Sequence, residues 1–189
     1  MQQKDKALPK KYIHKQNGFT LIELVIVILI VSLLGLFVVD RIIAIRSSAE
    51  QSAIKQLVGT IKSALGLKVS QLALEGNMPA VAKLDQSNPL DLLSRTPPNY
   101  IGEKNNSQSI VEPGVWYFNN EQKILIYNIR YSEGFKTKLS GVPRIRYKIK
   151  LVYNDRNSNK RFDTHYDSIA GLDLIPIEKF SWDKKKNNI

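Results

Sequence analysis

The sequence predicts an α+β protein in which one long N-terminal helix, apolar all round in its first half and amphipathic in its second, packs on an antiparallel β-sheet. Three observations carry that expectation. Residues 19 to 39 read FTLIELVIVILIVSLLGLFVV, twenty-one residues broken only by Thr20, Glu23, Ser32 and Gly35. Downstream, Ile54, Leu57, Val58, Ile61, Leu65, Val69 and Leu72 recur at the i, i+3, i+4, i+7 spacing of one helical face. Later still, residues 123–131 and 144–153 alternate with the period of two expected of strands.

Composition sets the scale. A chain of 189 residues, 43% of them apolar, supports one globular domain with an appendage. The formal charge of +11 is unevenly spread, because the first eighteen residues carry Lys4, Lys6, Lys10, Lys11 and Lys15 against Asp5. There is no cysteine, which excludes disulfides, thiolate metal sites and cysteine nucleophiles. An extracytoplasmic location stays open, since an oxidising compartment permits disulfides without requiring them.

At about 1.5 Å per residue, the apolar run roughly matches a hydrocarbon core of about 30 Å, so it is a transmembrane candidate. Five lysines precede it and only Arg41 and Arg46 closely follow, which puts the N-terminus in the cytoplasm and the remainder outside. A secretory signal would have an apolar stretch of about 7–15 residues and then a small-residue cleavage site. Here the run ends in Val38-Val39-Asp40-Arg41. The informative junction lies before it, at Lys15-Gln16-Asn17-Gly18 followed by Phe19-Thr20-Leu21-Ile22-Glu23-Leu24.

A basic leader, a glycine, a phenylalanine and a carboxylate five residues past the glycine resemble the processing signature of type IV prepilins and pseudopilins. That resemblance implies a structural subunit rather than an enzyme. It implies cleavage between Gly18 and Phe19 by a membrane aspartyl prepilin peptidase, which also methylates the new amine of Phe19. It also implies association with an inner-membrane assembly platform and other pilin subunits, in a type IV pilus or a type II secretion-like filament.

Glu23 stands out. A carboxylate in a membrane helix costs on the order of 2.5–3.5 kcal/mol at the bilayer centre and less near an interface, so it calls for a partner. In the family that partner is the free amine of an adjacent subunit, here Phe19, and such a pair in low dielectric is strong and register-specific. The plainer alternative is a side chain that snorkels to the cytoplasmic interface.

The helix is expected from about Thr20 to Leu74, on the order of 80 Å, and to stop at Glu75-Gly76-Asn77-Met78-Pro79. A half-membrane, half-amphipathic helix of this kind is the ladle of the pilin family. The expected partition is a leader over 1–18, a membrane or filament-core helix over 19–39, an amphipathic half over 40–75, an αβ-loop over 76–114, and the sheet with the C-terminal region over 115–189. The loop phrases at 88–93 and 97–103, with Pro113-Gly114-Val115-Trp116-Tyr117-Phe118, resemble minor pilins of the mannose-sensitive haemagglutinin type.

Strands are expected at 115–118 and 123–131, joined by Asn119-Asn120-Glu121-Gln122, with Leu125, Tyr127, Ile129 and Tyr131 toward the helix. A third, at 144–153, sets Arg144, Arg146, Lys148 and Lys150 against Ile145, Tyr147, Ile149 and Leu151. A fourth extended segment spans 172–180, where Pro176 suggests an edge or a bulge.

Two further sites are candidates. Asp155, Asn157, Asn159 and Asp163 have the first, third, fifth and ninth oxygens of an EF-hand-type calcium loop, but Lys160 replaces the turn glycine and Tyr166 the twelfth-position glutamate. The alternative is an Asn/Asp-rich turn that satisfies its own backbone. Arg144, Arg146, Lys148 and Lys150, with Lys184 to Lys186, could line a nucleic-acid stripe of a DNA-uptake pilin, although alternating basic residues on a strand usually form its solvated face. A monomeric, membrane-anchored periplasmic domain is the remaining alternative. His14 and His165 belong to no catalytic motif, and His165 is expected at the surface.

Overall fold

The computed structural model describes residues 18–105 and 112–183. The lysine-rich leader with His14, and Lys184 to Lys186, lie outside the described residues. The chain divides into two compact units at Ile42 and Ile43. In the first, the described residues form the opening of helix α1 (Leu21–Leu74). Ser32 lies inside its apolar run and donates to the carbonyl of Ile28 at 2.7 Å, which satisfies its hydroxyl without leaving the helix.

In the second unit, residues 43–74 of α1 present the expected stripe. Ile54, Ile61, Leu65 and Leu72 are buried, with Leu57, Val58 and Val69 partly so. The helix ends as its sequence requires. Gly76 takes a φ of +68°, the Asn77 N–H donates to the Leu72 carbonyl at 2.8 Å, and the Gly76 N–H to that of Ala73 at 3.0 Å. This pair of reversed bonds satisfies carbonyls that the last turn would otherwise leave open.

A short helix α2 (Pro79–Ala82) buries Val81, and a 3-10 turn (Pro89–Leu92) sets Leu90 into the core, with Asn88 Oδ1 accepting from the Leu90 N–H at 3.2 Å. The strands are β1 (Tyr100–Lys104), β2 (Trp116–Asn119), β3 (Ile124–Asn128), β4 (Phe135–Thr137), β5 (Arg144–Asn154), β6 (Ser168–Pro176) and β7 (Phe180–Trp182). Five form a sheet in the order β1-β2-β3-β5-β6, and β4 pairs with β7 in a separate ribbon. The α+β expectation holds.

Three details correct it. The main sheet is mixed rather than antiparallel, because β1, inside the expected loop, runs parallel to β2. β1 alternates in burial, but its residues Tyr100-Ile101-Gly102-Glu103-Lys104 do not alternate in polarity, and Gly102 takes a φ of +88° beside a register shift between Tyr100 and Glu103, so no sequence pattern marks it. Second, β2 and β3 are buried on both faces. Leu125 and Tyr127 join the helix-side core, as expected, while Ile124 and Ile126 form a further cluster with Tyr117. Third, the fourth segment is two strands. Pro176 closes β6, the edge strand of the sheet, and the chain turns before β7.

The free flank of β5 beyond the end of β3 is covered by the loop after α2. The Leu151 N–H donates to Asp85 Oδ1 at 2.9 Å, and the Gln86 N–H to the Ile149 carbonyl at 3.3 Å. Covering an exposed strand flank in this way removes a template for unwanted pairing.

Candidate functional site: the exposed N-terminal segment

Gly18, Phe19 and Thr20 precede the helix in non-helical, exposed conformation, and Phe19 is 71% exposed. Nothing lies within 4 Å of where a Cβ on Gly18 would sit, so the backbone at this junction is open. Thr20 caps the helix. Its Oγ1 accepts from the Glu23 N–H at 3.3 Å, and its carbonyl from the Leu24 N–H at 3.1 Å. Thr20-Leu21-Ile22-Glu23 is therefore one half of a capping box, a signal missed in reading the sequence. Glu23 also sits in the first turn, where a negative charge suits the helix dipole.

Beyond the cap, the described side chains of the apolar run pack against nothing else in the chain. The large apolar residues of the run whose side chains are described, from Phe19 through Leu29 to Val39, are exposed on every side, and the most apolar window of α1 is 0% buried. One helix is long and apolar enough to cross a membrane. Among the described residues no cation faces the Glu23 carboxylate.

Residues 13–39 match the family model of the prokaryotic N-terminal methylation motif. The N-terminal segment is that of a type IV prepilin or pseudopilin. The match takes in the junction at Gly18 and Phe19, Glu23, and the whole apolar run, and ends at Val39. No curated protein and no solved structure matches the chain. What the prepilin-type segment presents is an exposed backbone junction, a carboxylate and an apolar helix.

The other candidate residues fall elsewhere. Asp155 accepts from the N–H groups of Asn159 at 3.2 Å and Lys160 at 2.7 Å, Asn157 from Asn159 at 3.1 Å, and Asn159 from Arg161 at 2.7 Å. Asp163 accepts from the His165 N–H at 2.9 Å. Ser158 and Lys160 adopt left-handed φ values of 58° and 61°. Every proposed ligand thus serves the turn's own backbone. Between Asp155 and Asp163 the three cations Arg156, Lys160 and Arg161 outnumber the two carboxylates, which opposes a divalent ion. Among the described residues no three His, Cys, Asp or Glu side chains converge for a metal. His165 is exposed, as expected.

The basic strand face is half committed. Arg146 makes a bidentate pair with Glu178, one contact at 3.1 Å, and the Arg144 guanidinium caps the carbonyls of Ser140 at 3.2 Å and Val142 at 3.0 Å. Only Lys148 and Lys150 remain without a hydrogen-bond or ion-pair partner among the described residues. Tyr147 faces the core and its hydroxyl is pushed up to about 12 by burial, so it stacks on no base.

Proposed function

We propose that this chain is a structural subunit, a minor pilin or pseudopilin, of a type IV pilus or type II secretion-like filament, and not an enzyme. It waits in the inner membrane with its N-terminus in the cytoplasm and residues 43–189 in the periplasm. Prepilin peptidase removes residues 1–18 and methylates Phe19. The helix over 19–39 then leaves lipid for the filament core, where the Phe19 amine of one subunit meets Glu23 of the next. The loop phrases around residues 88–118 support a place among minor pilins of the mannose-sensitive haemagglutinin type.

One observation carries this reading: an apolar helix exposed all round, opened by a capped turn with Glu23 and an accessible Gly18-Phe19 bond. In lipid every backbone group of such a helix is satisfied internally, and its side chains need only hydrocarbon or like helices. In the same reading, residues 155–163 are a self-supporting turn. Mass spectrometry of the chain extracted from its native membrane tests the processing step. The expected N-terminus is N-methylated Phe19; an intact lysine-rich leader would leave a simple tethered domain.

A further inference from the structure

Where the 3-10 turn meets β1, one side-chain amide has more acceptors than hydrogens. Asn88 is 5% exposed, and its Oδ1 accepts from the Leu90 N–H, which fixes the orientation of the amide. Its Nδ2 then faces Asp91 Oδ1 at 3.0 Å, the Tyr100 hydroxyl oxygen at 3.0 Å and Glu103 Oε1 at 3.1 Å. An amide nitrogen carries two hydrogens, so one of these three acceptors goes without. The second Glu103 oxygen accepts from Asn120 Nδ2 at 2.7 Å, in the turn from β2 to β3. Three pieces of chain that are separate in sequence therefore meet at two carboxylates and a phenol.

Two carboxylates gathered on one nitrogen repel each other, and the surroundings supply no counter-charge. Among the described residues neither takes part in an ion pair. Arg95 and Lys104, the cations nearest to them in sequence, are therefore not their partners, and Glu121 beside Asn120 is a further acid. The titratable groups that face Asp91 are Glu103 and Tyr100. Burial first, and then Glu103, holds the Asp91 carboxyl above its usual 3.8. A bound proton answers both deficits, since it removes one negative charge and adds the missing donor.

We infer that Asp91 and Glu103, gathered on the Asn88 amide, hold a shared proton as an acid-tightened latch that ties the 3-10 turn to β1 more firmly as pH falls. A folded value above the unfolded one adds stability that is complete below the unfolded value and is lost as pH rises through the folded one. The latch is thus closed in acid and strained at neutral pH. β1 is an edge strand of five residues whose pairing with β2 is interrupted by a register shift, so a change in its tether alters how firmly the flank of β2 is covered. The latch lies wholly within the globular unit and acts whatever the apolar helix assembles with.

The test uses the full chain in detergent micelles, with the Asp91 carboxyl carbon followed by NMR from about pH 7 to about pH 3. Its midpoint is expected above 3.8 and is expected to move down in E103Q. Melting temperatures supply a second readout. At about pH 7, D91N and E103Q should each melt about 2–4 °C above the wild-type chain, and D91N/E103Q should gain no more than the better single variant, because either change removes the same repulsion. The gain should shrink steadily as pH falls toward about 4. A midpoint at or below 3.8, or one that E103Q leaves unmoved, overturns the inference. So does a D91N effect on melting that is the same across the range, which would make Asp91 a plain hydrogen-bond acceptor.

Discussion

Glu50 is 8% exposed, yet it carries a carboxylate into the interface between α1 and the end of β3. Its Oε1 accepts from the Tyr127 hydroxyl at 2.7 Å and the Arg130 N–H at 2.8 Å, and its Oε2 from the Tyr131 N–H at 2.8 Å. A buried carboxylate with three donors fixes helix against strand without a disulfide, and deleting it strands three donors. Glu50→Ala should therefore lower the stability of residues 43–189 by on the order of 3 kcal/mol in urea unfolding, with Glu50→Gln intermediate; a change within experimental error would show that the clamp is idle. Desolvation by burial, then the hydrogen bond to Glu50, raises the Tyr127 hydroxyl above its usual 10.0, and burial raises that of Tyr147 to about 12. Folded values above unfolded ones mean that this contribution is intact below about pH 10 and is lost as pH rises through the folded values. Tyrosinate absorbance should accordingly appear together with alkaline unfolding between about pH 10 and 12; full ionisation with near-UV circular dichroism unchanged would contradict it. Glu50 was readable in part. It stands four residues before Ile54, on the buried stripe, where a carboxylate signals a buried acceptor.

Long periodic elements were legible because one physical cause dominates each. The stripe of α1 and the alternation of β5 follow from burying one face, and both appear where expected. The elements that escaped are short and held by non-local contacts. β1 depends on pairing with β2, and on Asn99, whose amide donates to the Gly114 carbonyl at 2.8 Å and whose carbonyl accepts from the Trp116 N–H at 2.9 Å. β4 and β7 lie more than forty residues apart in sequence and are joined by aromatic packing. Their ribbon helps hold the cysteine-free C-terminal region, with Phe135, Phe180 and Trp182 on the main core. The 155–163 turn was legible in composition but open in meaning, since Asp and Asn oxygens suit both a cation and a backbone. Its backbone bonds predict that millimolar calcium and chelator leave the melting temperature of residues 43–189 unchanged, whereas Asp155→Ala, which frees two N–H groups, costs about 1 kcal/mol. A calcium-dependent rise of several degrees would instead assign the turn to the metal.

At the scale of the whole molecule, the chain joins a compact globular unit to an apolar helix whose described side chains are exposed. Such surface is stable only in lipid or against like helices, and the proposed function gives it both settings in turn. In the proposed processing, the Phe19 amine would lie about one helical turn from Glu23 in its own chain as well as within reach of a neighbour, so the proposal assigns the carboxylate's role to assembly rather than to insertion. The junction and the apolar run were legible because charge, spacing and length coincide there. Which filament would take the proposed subunit depends on surfaces of other chains. The most direct measurement compares sheared filaments with membranes from cells carrying the wild-type chain or Glu23→Ala. With membrane levels and Phe19 processing equal, the variant should fall at least about tenfold in the filament fraction, the equivalent of losing about 1.4 kcal/mol of pairing. Equal amounts of both chains in the filaments would contradict the pairing on which assembly is here based.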